Sequence, residues 1–199
     1  MTFRAVFFDL GGVIVRTEYQ APRERLADQL GMEYEDLVRA VFDSDSALKA
    51  SVGTITEDEH WNLVARKLGC SETETAVLRS EFFAGDVIDH KLLEFIRSLK
   101  PHYKTGLISN AWSGLRSYIV NKKFDDAFDN IIISAEVGSA KPEAKIFRLA
   151  LKQAKVSAEE TIFVDDFPEN VDAARALGLA AIRFRDSEST IKKVKSLLI

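Results

Sequence analysis

One cysteine, Cys70, is all the thiol this 199-residue chain contains, so no intramolecular disulfide can staple the fold. A lone thiol fits a reducing compartment, and a cytoplasmic location is the expectation. The apolar run at the N-terminus is short, and Asp9 interrupts it before any small-residue cleavage site, so no signal sequence is expected. No apolar stretch approaches the ~20 residues that a membrane-spanning helix needs, which argues against a membrane partner. A basic surplus is also missing: 27 Lys and Arg face 31 Asp and Glu, a formal charge of −4. Nucleic-acid binders usually carry the opposite imbalance, so no nucleic-acid partner is expected. The three histidines, His60, His90 and His102, stand far apart, and none has zinc-ligand spacing with another or with Cys70. Oligomeric state has no signature in the chain.

What is present is an ordinary globular composition, 46% hydrophobic and 29% charged, long enough to bury a sizeable core. Five short apolar runs, 3–8, 103–108, 130–134, 161–164 and 181–184, have the character of buried parallel strands. Helical spacing lies between the later ones. Leu92, Phe95, Ile96 and Leu99 make one face, and Phe147, Ala150, Leu151 and Ala154 another. The stretch 168–177 ends at Gly178, a helix stop. Strand alternating with helix predicts an α/β fold, a parallel sheet with right-handed crossovers.

Residues 16–86 break that rhythm. They show helix patterns and no convincing strand: Trp61, Val64, Ala65 and Leu68 share a face, and Thr56–Glu59 and Ser71–Glu74 read as capping boxes. The segment is either an all-helical insertion or further helices on the sheet. The expected division is a core of 1–15 and 87–199 and a helical cap of 16–86.

Four polar segments follow strands or lie in a loop after one, on the side where open α/β sheets bind ligands. In Phe7-Phe8-Asp9-Leu10-Gly11-Gly12-Val13, Asp9 is either a turn-starting acid or a carboxylate nucleophile able to form an acyl phosphate. In Gly106-Leu107-Ile108-Ser109-Asn110, a hydroxyl and an amide suit either a turn or a phosphoryl oxygen. In Ser139-Ala140-Lys141-Pro142-Glu143, the lysine is either solvated or a neutraliser of phosphoryl charge, ahead of a proline expected to open a helix. In Phe163-Val164-Asp165-Asp166-Phe167-Pro168-Glu169-Asn170, two acids end a strand. They either favour a helix start or offer the hard oxygens that Mg²⁺ takes.

The order Asp, Ser-Asn, Lys, Asp-Asp resembles the four motifs of the haloacid dehalogenase superfamily, over essentially the whole chain. It resembles the subfamily with a helical cap after the first motif. The resemblance implies a Rossmann-like three-layer core and an Mg²⁺-dependent phosphatase acting on small phosphorylated substrates. It makes Asp9 the nucleophile and a metal ligand. It also implies Mg²⁺ ligation by Asp166, by the backbone carbonyl of Gly11, and by Asp165 directly or through water, with Asn170 orienting that shell. Ser109 and Asn110 would bind the phosphoryl group, and Lys141 would tether it to Asp9.

One departure stands out. Most phosphatases of the superfamily carry an acid–base aspartate two residues after the nucleophile, where this chain has Gly11. The Asp-Leu-Gly-Gly-Val form and the stretch Gly53–Trp61 are similar to a bacterial subgroup that includes glucose-1-phosphate phosphatases, which points to sugar phosphates. A dehalogenase using Asp9 without Mg²⁺ is one alternative, disfavoured by the paired acids. A non-catalytic binder of phosphorylated ligands or of a protein is another, favoured by Gly11. Arg16, Glu18, Tyr19 and Trp112 lie near these motifs and are expected either to touch substrate or to serve structure alone.

Overall fold

The computed structural model describes residues 2–198. In chain order the elements are β1 (Ala5–Phe8), β2 (Val15–Thr17), α1 (Ala21–Leu30), α2 (Tyr34–Phe42), α3 (Asp45–Ser51), α4 (Glu57–Lys67), α5 (Thr75–Phe82), β3 (Asp86–Ile88) and α6 (His90–Leu99). They continue with β4 (Lys104–Ser109), α7 (Leu115–Asn121), β5 (Asn130–Ile133), α8 (Ser134–Val137), α9 (Ala144–Ala154), β6 (Thr161–Asp165), α10 (Pro168–Ala176), β7 (Ala180–Arg183) and α11 (Ser187–Leu198).

Five strands form a parallel sheet in the order β5-β4-β1-β6-β7. The expected strand runs all appear, within two residues at each end. Both faces of the sheet are covered, and side-chain alternation divides β1 between them. Val6 and Phe8 join one apolar cluster with Leu92, Ile96, Leu107 and Val164. Ala5 and Phe7 join the other with Ile108, Phe147 and Phe163. That double burial is why the strand reads as unbroken apolar sequence. Packing across the sheet is close: a Cβ at Gly106 would lie 2.0 Å from the Phe7 ring.

Register decides where the polar groups fall. Phe8 is level with Leu107 on β4 and with Val164 on β6. Asp9, Ser109 and Asp165 therefore emerge together at the carboxyl edge of three adjacent strands.

Between β2 and β3 lie helices α1 to α5, which bury an apolar cluster of their own, including Leu26, Leu37, Val41, Trp61, Leu78 and Phe82. Both expected capping boxes form. Thr56 Oγ1 accepts from the Glu59 amide at 3.1 Å, while Glu59 Oε2 accepts from the Thr56 amide at 2.7 Å. The second box, at Ser71, opens a 3-10 turn ahead of α5.

Two expectations are corrected. The segment 16–86 is not free of strand: β2 pairs antiparallel with β3, Arg16 opposite Val87 and Thr17 opposite Asp86. Three-residue strands are too short to show a period, and side chains hold this ribbon. Thr17 Oγ1 donates to Asp86 Oδ1 at 2.7 Å, and Arg23 reaches the same oxygen at 3.0 Å. Pro142 does not open a helix either. Glu143 is the extended N-cap and α9 starts at Ala144, and the Lys141 carbonyl, which would accept the first bond of a helix opening at Pro142, is engaged by Asn110 Nδ2.

Candidate active site

The site is built on a buried lysine. The Lys141 side chain is wholly buried, with Nζ 2.9 Å from Asp9 Oδ1 and 2.6 Å from Asp165 Oδ2. Its position is set through the main chain. Asn110 Nδ2 donates to the Lys141 carbonyl at 2.7 Å, and Asn110 Oδ1 accepts from the Lys141 amide at 2.7 Å. Here the Asn110 side chain engages Lys141. Ser109 is buried at the carboxyl end of β4, beside the acids.

The two adjacent acids differ in how their oxygens are engaged. Asp165 is fully buried and its oxygens are well supplied. It accepts from Lys141 Nζ, from the Phe167 amide at 2.9 Å, and from Asn170 Nδ2 at 3.1 and 3.2 Å. Asp166 is less provided for: among the described residues its Oδ1 is buried with no hydrogen-bond partner. A buried carboxylate oxygen without a donor is costly unless a cation meets it. One carboxylate oxygen from each of Asp9, Asp165 and Asp166 lies within 4.8 Å of the others. Hard oxygens so grouped match the ligand set of a small divalent ion. Lys141 engages one oxygen of Asp9 and one of Asp165, and Asn170 adds to Asp165, so Asp166 is the acid with the least protein support.

Burial raises the Asp9 pKa from 3.8 to about 6; Lys141 opposes the rise and the Asp165 charge adds to it. Asp166 is raised too, first by burial and then by Asp165. Three carboxylates thus share one buried ammonium, a surplus of negative charge that a bound cation would relieve.

Asp9, Asn110, Lys141, Asp165 and Asp166 are joined by these contacts, while Ser109 closes the neighbouring strand β4 and Gly11 is exposed in the turn after β1. In the structure Gly12, at φ +75°, makes room for Asp166: a Cβ there would lie 2.2 Å from its Oδ2. Of the neighbouring residues, Arg16 holds the strand ribbon, bonding the Val13 carbonyl at 2.6 Å, Glu18 at 2.9 Å and Asp89 at 3.0 Å. Tyr19 is largely exposed. Trp112 packs on His60, ring centroids 4.4 Å apart.

A family model described as haloacid dehalogenase-like hydrolase matches residues 3–178. The chain is 28% identical to the sesquiterpene phosphatase astK of Aspergillus oryzae, over 99% of this chain and 97% of that protein. It is 27% identical to the drimenol cyclase drtB of Aspergillus calidoustus over 98% of this chain, but spans only 36% of that longer protein. Identity to the D-ribitol-5-phosphate phosphatase of Bacteroides thetaiotaomicron is 28%, over 87% of each. Among solved structures, a HAD-family enzyme of Bacteroides thetaiotaomicron in complex with magnesium and inorganic phosphate shares the fold. Its TM-score is 0.77 at 23% identity, covering 92% of this chain and 94% of that one.

Proposed function

The chain belongs to the haloacid dehalogenase-like hydrolase family, and on that premise we propose that it is a magnesium-dependent phosphatase of small phosphate monoesters, sugar or polyol phosphates foremost. The observation that carries this reading is the grouping of Asp9, Asp165 and Asp166 around the buried ammonium of Lys141, with an oxygen on Asp166 that has no partner among the described residues. Relatives named as phosphatases support it. A dehalogenase would have no use for such a surplus of acids.

In this reading Asp9 Oδ2 attacks phosphorus. The P–O bond to the leaving group breaks, the departing oxygen takes a proton from solvent water, and an aspartyl phosphate forms. Water then attacks that phosphorus, gives up a proton to solvent, and frees inorganic phosphate and the Asp9 carboxylate. Lys141 holds Asp9 through Oδ1, leaving the other oxygen for attack, and its charge offsets the negative charge of the incoming phosphoryl group. Ser109 donates its hydroxyl to a phosphoryl oxygen. Asn110 acts through Lys141, whose backbone it fixes. Asp9, Asp166 and the Gly11 carbonyl would hold Mg²⁺, with Asp165 beside them and Asn170 orienting it. When bound, the ion supplies charge neutralisation and alignment of nucleophile with phosphorus. The cap of 16–86 over a core of 1–15 and 87–199 belongs to the same proposal and would decide which ester enters.

The test is hydrolysis of a panel of sugar, polyol and prenyl phosphates with Mg²⁺ and with EDTA. Turnover with Mg²⁺ that EDTA abolishes is the expected result. Turnover indifferent to EDTA, or none on any ester, removes the proposal.

Gly11 yields a second expectation. A Cβ at this position meets nothing within 4 Å, and its backbone is outside the left-handed region. An aspartate therefore fits where relatives place their proton carrier. Gly11→Asp is expected to raise kcat on sugar phosphates by about 10²-fold, the low end of general acid–base assistance. An aryl phosphate, whose leaving group needs no proton, should gain far less. Equal gains on both esters, or no gain on either, would count against a missing proton carrier.

A further inference from the structure

The five-residue connection Asn110–Gly114, between β4 and α7, is bonded at both ends. At its start Asn110 holds the backbone of Lys141 through two hydrogen bonds of 2.7 Å. The next residue is fixed as well, the Ala111 amide donating to Ser134 Oγ at 2.9 Å. At its other end the connection meets the first turn of α4. The Glu57 amide donates to Ser113 Oγ at 3.1 Å, and the Gly114 amide donates to Glu57 Oε2 at 2.9 Å. Glu57 Oε1 lies 2.6 Å from Arg79 Nη2 of α5. Trp112, between the two ends, packs against His60 of α4 and Phe42 of α2.

Glu57 itself is unusual. A first-turn glutamate that merely favoured the helix dipole would sit in water, whereas Glu57 is only 8% exposed. Its carboxylate tolerates burial because both oxygens are partnered, one by the connection and one by a neighbouring helix. A Cβ on Gly114 would lie 2.0 Å from Glu57 Oε2, so a side chain there would displace that carboxylate.

We infer that Glu57 is a positioning residue: it ties the helical segment to the connection that orients Asn110, and through Asn110 sets the place of Lys141. The path from Glu57 to Asp9 runs through the hydrogen bonds and ion pair named above, joined by the main chain of 110–114 and by the side chain of Lys141. A site whose lysine must stand within contact of two carboxylates responds to small displacements, and a misplacement of about 1 Å lowers rates by up to about 10²-fold. The kinetic consequence rests on the phosphatase reading; the coupling itself does not.

The test compares the full chain with Glu57→Ala, Glu57→Gln and Gly114→Ala, at a temperature where all are folded. The readouts are kcat and KM with Mg²⁺, and amide hydrogen exchange. Glu57→Ala and Gly114→Ala are expected to lower kcat about tenfold with little change in KM, an effect within the range for misplaced catalytic groups. Glu57→Gln keeps an acceptor for the Gly114 amide and should restore most of the loss. Exchange should quicken at Gly114 and also at the Lys141 amide, which is bonded to Asn110 and far from the substituted residue. A purely local role would loosen Gly114 alone, and that result overturns the inference, as does wild-type kcat in Glu57→Ala or Gly114→Ala. If the wild type hydrolyses no ester, the phosphatase reading fails. Exchange at Lys141 then decides the coupling: faster in Glu57→Ala supports it, unchanged overturns it.

Discussion

Replacing Asp9 by Asn is expected to lower phosphatase turnover by about 10⁴-fold or more, the scale seen when a nucleophile is removed. Metal-free protein of the same variant should be no less stable than wild type at neutral pH. The second half of this result follows from the charge surplus. Folding raises the Asp9 pKa from 3.8 to about 6, because burial outweighs the attraction of Lys141 and the Asp165 charge adds to the rise. A carboxyl whose pKa is raised on folding binds its proton more tightly in the folded state. Its contribution to stability is therefore full below pH ~4 and is lost as pH rises through ~6, a total of about 3 kcal/mol for a shift of this size. Asparagine carries no charge to desolvate and escapes that loss. Lys141 still keeps Asp165 as its partner at 2.6 Å. Thermal unfolding in EDTA at pH 5 and pH 7.5 checks this: the variant should gain on wild type as pH rises. Added Mg²⁺ should raise the wild-type Tm more than that of the variant. A variant less stable than wild type at pH 7.5 in EDTA would show that Asp9 is not the strained member of the cluster.

Lys141→Met should have the opposite effect on stability and also lose activity. It leaves Asp9 and Asp165 facing each other without a cation, and Asp165 is fully buried. Removing one partner from a buried ion pair typically costs about 3–5 kcal/mol, since the remaining charge is uncompensated. Loss of this size at pH 7.5 is the expectation, read from denaturant unfolding. It should shrink toward pH 5 as Asp9 takes up its proton. Mg²⁺ should recover part of the stability but not the turnover, because the ion does not replace a cation fixed beside the nucleophile. Lys141→Arg should rescue neither, as a planar guanidinium does not fit a slot shaped for a wholly buried ammonium. A stable, active Lys141→Met would mean the lysine is incidental to the site.

Much of the fold was legible because its sheet is buried on both faces. Such strands are apolar along their middles, and β1, β4 and β6 announce themselves by Ala5–Phe8, Leu107–Ile108 and Ile162–Val164. The capping boxes at Thr56 and Ser71 were legible for another reason: their hydrogen bonds join residues three apart. The β2–β3 ribbon was not. Its three-residue strands have no period, and the side chains that hold it, Thr17 and Arg23 on Asp86, pair across more than sixty positions. The bonds of Asn110 to the Lys141 backbone were not legible either, since only the fold reveals that Lys141 lies within its reach. Glu57 read only as an inner position of the Thr56–Glu59 capping box. Its burial depends on a loop 57 residues further on.

By itself the sequence determined which chemical groups stand at the strand ends: an acid after β1, a hydroxyl and an amide at the end of β4, a lysine before α9, two acids closing β6. Burial dictates apolar strands, and a polar group directly after one is conspicuous in any chain. Tertiary structure alone decided how those groups share their partners. It gave Asp165 to Lys141 and Asn170, left an oxygen of Asp166 without a donor among the described residues, and set Gly12 where that acid needs room. Strand register and loop packing settle such assignments, and both depend on contacts between residues far apart along the chain.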